Sequence, residues 1–342
     1  MAKISKQITL KDIAQRLNVS TVTVSKALRN HPDISDKRAE EIKMAAKKLG
    51  YIPNFAARNL SAKRTNTIGV IVPVIANSFF ANYVESIYEC AFENNFDIIL
   101  AVSNENSEQE RKHLETMLSM RVDGIIISVA EHSKNEDMVQ RIKELKIPIV
   151  FFDRTIKNSK CSSVTLANQL GAFNAVETAI EKGYKKIGHI GGWQNSNIGK
   201  ERYLGYKKAL KKYKLPINKD WIVFGGFGKE DGFNAFMKLY KENKLPELIF
   251  AVTFPVGLGI LEAANKVGIK IPKSLDIICF GDSNINEYLK PAISCVTHDT
   301  RQFASEAFNL IMEQIKMGKK VMEKHLQIET KFLQKDTCKK KI

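Results

Sequence analysis

No stretch of this chain approaches the roughly 18–20 consecutive apolar residues that a membrane-spanning helix needs, which argues against one. Cysteine is scarce and scattered. Cys90, Cys161, Cys279, Cys295 and Cys338 show no CxxC spacing and are odd in number, which argues for reduced thiols and against a disulfide framework or a zinc site. Catalytic signatures are missing too. The six histidines lie far apart without HExxH spacing, and no GxSxG motif is present. These absences predict a protein that is not an enzyme, with no catalytic residue, no metal ligand and no cofactor. The opening residues, Met1 to Gln7, lack the apolar core of a signal peptide because charged residues interrupt it, so a cytoplasmic location is expected.

What is present is length and unevenly placed charge. At 342 residues the chain exceeds a single core and fits a small domain plus one or two α/β lobes. An apolar content of 44% is ordinary for packed sheets. The formal charge is +16, and more than half of the excess falls in the first 66 residues, where 14 Lys and Arg face 5 Asp and Glu. Positive charge concentrated in this way suits a polyanion better than a small acidic substrate. A lysine-rich background accounts for the remainder, including the Lys339-Lys340-Lys341 tail.

That N-terminal region carries a helical pattern. Thr9 can cap a helix from Leu10, with Asp12 three residues on, and Leu10, Ile13, Ala14 and Leu17 form one apolar face. Asn18-Val19-Ser20 then breaks the pattern. Asn tolerates the left-handed turn, and Ser20 can cap a second helix, Thr21 to Arg29, that buries Val24 and Leu28. A third helix, capped by Ser35 or Asp36, runs to Lys48 and stops at Gly50. A basic, hydroxyl-rich second helix after a three-residue turn predicts a helix-turn-helix, with short side chains at base edges and Lys and Arg at phosphates. The bland alternative is a generic three-helix bundle.

From Thr67 the pattern changes to apolar runs alternating with helical segments. Residues 67–72, 97–101, 123–128 and 148–153 read as strands, and the series restarts at 186–191, 245–252 and 276–281. Near-continuous apolar strands separated by helices imply parallel sheets covered on both faces, with ligands beyond the strands' carboxyl ends. Gly226-Phe227-Gly228-Lys229-Glu230-Asp231-Gly232 lacks the spacing and partner acid of a dinucleotide loop and reads as a strand-to-helix turn; Gly191-Gly192-Trp193 reads likewise.

The segment Tyr51-Ile-Pro-Asn-Phe-Ala-Ala-Arg-Asn-Leu-Ser61, together with Leu10-Lys-Asp-Ile-Ala14 and Val19-Ser-Thr-Val-Thr-Val-Ser-Lys26, resembles the lac repressor/galactose repressor family, and the resemblance runs through nearly the whole chain. It implies an all-α helix-turn-helix head over residues 1–53, a hinge helix and linker over 54–66, and a two-lobed α/β domain with parallel sheets, like periplasmic binding proteins, over 67–342. It also implies a homodimer on double-stranded operator DNA and a small-molecule effector, a saccharide or sugar derivative. The family's base-reading positions fall on Thr21, Val22 and Lys26. Relatives commonly carry Arg where Lys26 stands, and lysine replaces bidentate guanine recognition with a point charge. Thr9, Ser20, Thr23, Ser25 and Arg29 complete the expected DNA contacts in the head. In the hinge the expected contacts are Asn54, Ala57, Arg58 and Leu60, the last as a leucine wedge in the minor groove.

The same resemblance places effector contacts on Asn77, Phe79 and Phe80 after the first strand; Asp153 and Arg154, which close the fourth, are candidates because an adjacent acid and base at a strand end can bracket hydroxyls. Arg202, in Arg-Tyr-Leu-Gly-Tyr, and Asp282, in Cys-Phe-Gly-Asp-Ser, match the family's effector-binding arginine and aspartate, a pair suited to polyols. Where relatives carry an Asn/Asp-Asp pair, this chain has Thr253-Phe254-Pro255. Three readings stay open there: a less hydroxylated ligand, Phe254 stacked on a sugar ring, or lost small-molecule control. Two rivals from other classes are a secreted sugar-binding protein, which predicts neither the basic head nor this N-terminus, and an architectural DNA binder with a vestigial effector domain.

Overall fold

The computed structural model describes residues 8–51, 64–76, 78–131, 133–318 and 322–339. It divides into two compact units, Met1–Thr65 and Asn66–Ile342.

The first unit is three helices around a small core. Helix α1 spans Leu10–Leu17 and opens with a capping box: the Thr9 backbone N–H donates to Asp12 Oδ2 at 2.7 Å, and the Asp12 N–H donates to Thr9 Oγ1 at 3.4 Å. Asn18, at φ 50°, ends it in the left-handed region. Ser20 then accepts from the Thr23 N–H at 3.0 Å to start α2, Thr21–Leu28. Helix α3, Asp36–Leu49, follows Ser35, whose side chain makes no capping bond, and ends at Gly50 with φ 71°. The core comprises Ile13, Ala14, Val24, Ala27, Ala39, Ile42 and Ala46. One expectation needs correcting: α2 buries Ala27 rather than Leu28. Its inward stripe runs i, i+3 from Val24, which leaves Leu28 half-buried at the rim of the core.

The second unit holds two six-stranded sheets. In chain order its elements are β1 Thr67–Val72, α4 Ser78–Glu93, β2 Asp97–Val102, α5 Ser107–Ser119, β3 Gly124–Ile127, α6 Glu136–Glu144, β4 Ile149–Phe152 and β5 Ser162–Leu166. Next come α7 Asn168–Glu181, β6 Ile187–Gly191, α8 Asn197–Lys212, β7 Ile222–Phe224, α9 Lys229–Lys241, β8 Leu248–Ala251, α10 Phe254–Lys266 and β9 Asp276–Phe280. The chain closes with β10 Ser294–Thr297, α11 Thr300–Met317, β11 His325–Ile328 and β12 Lys331–Leu333. The first sheet, ordered β11-β5-β4-β3-β1-β2, is parallel throughout; the second, β12-β10-β9-β8-β6-β7, is parallel except for the β10–β12 pair.

Every residue of β1, β3, β4, β8 and β9 is buried, because helices cover both faces of each sheet. The chain passes between sheets after β5, after β10 and between β11 and β12, so each lobe is completed by residues distant in sequence. The apolar patterning predicts the central strands within a few residues. It does not predict β5, β10, β11 or β12, which are short and polar-rich and take their place from their sheet neighbours. The two glycine-rich segments are turns: residues 226–228 join β7 to α9, and Gly192-Trp193 follow β6.

Candidate functional site

In the head, α2 presents its first turn to solvent. Thr21 is exposed, and Val22 is 62% exposed, an unusual position for a β-branched apolar side chain. Ser20 and Thr23 are tied together by a hydroxyl–hydroxyl hydrogen bond of 2.8 Å that braces the helix start. Further along, the Arg29 Nε–H donates to the Ser25 carbonyl at 3.1 Å, and its Nη2 donates to Ser25 Oγ at 3.0 Å. Lys26 is paired with Asp33 at 2.5 Å, a contact that holds the Asp33 carboxyl below its usual range, mainly through the hydrogen bond. The first turn is therefore open, while the cations behind it are held in place by neighbours. Asn54, Ala57, Arg58 and Leu60 lie outside the described residues, as does Asn77.

In the second unit the remaining effector candidates, Phe79, Phe80, Asp153, Arg154, Arg202, Thr253, Phe254 and Asp282, line one cavity of about 80 Å³ between the lobes. Fold topology brings them there: α4 follows β1, Asp153 ends β4, α8 follows β6, α10 follows β8 and Asp282 follows β9, all at strand carboxyl ends.

Two of these residues carry the electrostatics. Asp153 is 2% exposed, sits at φ 59°, and has no hydrogen-bond donor for its Oδ1. Burial pushes its carboxyl up, and Arg154 and Arg202 oppose that shift. A non-glycine residue in the left-handed region with an unsatisfied buried carboxylate oxygen is a costly arrangement, of the kind found at ligand sites. Arg202 is equally buried. Its Nε donates to Asn168 Oδ1 at 2.9 Å and its Nη1 to the Val252 carbonyl at 2.7 Å, while its guanidinium carbon stands 3.7 Å from the Phe280 ring centre. Burial lowers its pKa to about 10, against the pull of Asp153 and Glu201. These bonds use two of the five guanidinium N–H groups, and the residue lines the cavity.

Arg154 behaves differently. Its Nη1 is shared between both Glu105 oxygens at 2.8 Å, and its guanidinium lies 4.9 Å from the Phe227 ring centre. Its Nε approaches Asp153 Oδ2 only to 3.9 Å, beyond hydrogen-bond reach. Asp282 lines the cavity but is partly occupied by its own loop, accepting from the Ser283 N–H and Asn286 Nδ2, each at 2.8 Å. Phe80 is buried core, whereas Phe79 is half-buried and packs on Tyr83 at 4.6 Å. The Thr253-Phe254-Pro255 departure is a helix start: Thr253 caps α10, Pro255 lies in its first turn, and Phe254 is buried in the second lobe. The cavity wall is apolar there.

Sequence reasoning missed several residues of this cavity and its supports. Phe227 lines it from the turn read only as a turn; Phe280 and Ile198 also line it. Asn168 orients Arg202, and Asn197 Nδ2 donates to the Asp153 carbonyl across the lobes at 2.9 Å. Behind Phe79, the hydroxyl of buried Tyr83 is hydrogen-bonded to His298 Nε2, and burial lowers the His298 pKa to about 4. No local spacing signals these contacts, since all of them span sequence separations of tens of residues or more.

Comparison with known proteins agrees with this architecture. The profile described as periplasmic binding proteins and sugar binding domain of the LacI family matches residues 65–336, and that described as bacterial regulatory proteins, lacI family, matches residues 9–54. The chain belongs to the LacI family of bacterial regulatory proteins. Catabolite control protein A of Priestia megaterium is 31% identical over 305 residues, covering 89% of this chain and 91% of that protein. The HTH-type transcriptional repressor PurR of Actinobacillus pleuropneumoniae is 27% identical over 311 residues, covering 91% and 92%. Among solved structures, the lac repressor dimer bound to operator and the anti-inducer ONPF superposes with a TM-score of 0.85 at 20% identity, covering 98% of this chain and all of that one, a likeness of fold. As a LacI-family regulator the chain is a DNA-binding transcription regulator and not an enzyme. Among the described residues no helix is long and apolar enough to cross a membrane.

Proposed function

We propose that this regulator is a repressor that binds a pseudo-palindromic operator as a homodimer, and that a saccharide or sugar derivative in the interlobe cavity sets its affinity for that operator. The observation that carries the effector reading is that a buried Asp153 oxygen without a donor and the Arg202 guanidinium line one cavity, among phenylalanines supplied by both lobes. Carboxylate and guanidinium suit vicinal hydroxyls, and aromatic faces suit the C–H face of a sugar ring. The open first turn of α2 supports base reading by Thr21 and Val22, with Lys26 and Arg29 turning to phosphates on binding. One head covers one half-site, so a two-fold operator calls for two copies. In the hinge, Leu60 would wedge between base steps and kink the duplex, supported by Asn54, Ala57 and Arg58.

The ligand acts only through a difference in affinity for two lobe arrangements, typically about 1–3 kcal/mol, or roughly 5- to 150-fold in operator affinity. The test is selection of DNA sites from a random pool, with and without a saccharide panel, followed by titration at several salt concentrations. The expected result is a palindromic site, steep salt dependence and a saccharide-dependent shift. A monomer saturating one half-site, or binding indifferent to salt, overturns the DNA reading; operator binding unmoved by every saccharide overturns the effector reading.

A further inference from the structure

The Asp153–Arg202 cavity opens into a second chamber. Its volume is about 600 Å³, against about 80 Å³ for the inner one, and Ser78, Arg154, Phe227, Phe254 and Pro255 line both. One water occupies roughly 10–15 Å³ on the same measure, so the inner chamber holds about six water-sized volumes. That is room for one small unit. The outer chamber is several times larger and differently made. Trp193 lines it half-buried, set edge-to-face against Phe227 with ring centres 5.1 Å apart. Glu105 comes from one lobe and Asp231 from the other. Asp231 uses Oδ2 to accept from the Gly228 N–H at 2.9 Å, which leaves Oδ1 available as an acceptor. Where the chambers meet, Ser78 Oγ donates to Ser283 Oγ across the cleft at 2.8 Å.

We propose that the effector is a disaccharide or longer saccharide, with its terminal unit in the inner chamber and its next unit in the outer one, stacked at Trp193 with hydroxyls toward Asp231. This rests on the effector reading above and deepens it. A ligand confined to the Asp153–Arg202 chamber gains nothing from an aromatic in the neighbouring chamber. One that extends past Ser78 reaches an aromatic ring and the Asp231 carboxylate, the pairing that recognises a sugar ring, whereas Glu105 is held by Arg154.

The chain has two tryptophans, Trp193 and Trp221. Trp221 directly precedes β7, at the end of the sheet opposite the cleft, so Trp221→Phe leaves Trp193 as the sole indole reporter. Full-length protein is titrated by calorimetry and by fluorescence with glucose, galactose, mannose and xylose and with their α- and β-linked di- and trisaccharides. The expected result is a disaccharide that binds at least about tenfold tighter than its component monosaccharide and shifts Trp193 emission. Trp193→Ala should erase that gain and Trp193→Phe should restore most of it. A monosaccharide that binds in an Arg202-dependent way, with no gain on lengthening, overturns the extended occupant and leaves the inner site standing. Binding by no saccharide of the panel overturns both readings.

Discussion

The head and the effector unit solve different problems with different kinds of information. Most of the contacts proposed for the head lie on one eight-residue helix, and the side-chain caps of α1 and α2 each reach a group three residues away. The cavity takes residues from the segments after six different strands and holds them with bonds such as Asn197 to Asp153 and Ser78 to Ser283, between residues 44 and 205 apart in sequence. The surface proposed to read DNA therefore exists once a local motif folds. The cavity exists only when two sheets, each completed from both ends of the domain, are assembled.

The largest effect that would break this comparison comes from the head's core. Ile42 is fully buried among few partners, and Ile42→Ala should cost about 2–5 kcal/mol, comparable to the whole stability of so small a domain. Operator binding should be lost while saccharide binding and the main calorimetric transition are unchanged; loss of both would mean that the units fold as one. Next in size is Arg202→Ala, which should weaken saccharide binding by about a hundredfold or more and abolish the ligand response, while sparing DNA binding without ligand. Asp282→Ala should do the same more weakly, because its carboxylate already serves Ser283 and Asn286. Calorimetry and operator titration separate these outcomes.

A pH profile sharpens the contrast further. Burial lowers His189 and His298 to about 4, below the value an unfolded histidine has, so their contribution is present above pH 6.5 and is lost as pH falls toward 4. Asp153 has the opposite sign. Its carboxyl is raised, so ionisation weighs against the folded unit as pH rises, and Asp153→Asn should raise the neutral-pH melting temperature while removing saccharide binding. A variant that melts lower, or still binds, would remove Asp153 from the site. The smallest effect belongs to the head surface. Asp33→Asn frees Lys26 from an exposed pair and should strengthen DNA binding by about two- to fivefold at low salt, with no change at high salt.

How much could be read in advance follows the same division. Thr9, Asn18, Ser20 and Gly50 each carry their signal in the few residues around them, which is why the helix boundaries were legible. Leu28 was misjudged because one-helix periodicity does not say which of two adjacent stripes, i+3 or i+4, meets its neighbours. At the cavity, the placement of Arg202 and Asp282 is legible by resemblance, but Asn168, Asn197, Phe227 and Trp193 carry no local mark of where they come to lie. A phenylalanine between two glycines looks like any turn until the opposite lobe brings Arg154 against it.

The sequence by itself determined the caps, the turn, the apolar central strands and the concentration of positive charge at one end, because each depends on conformational preferences and solvation within a few residues. Tertiary structure decided which edge strands complete each sheet, that Arg154 is spoken for by Glu105, and that Asp153 is left with an unsatisfied oxygen beside Arg202. Burial and pairing between distant residues set the cost of a charge, and no local pattern records which partner will arrive.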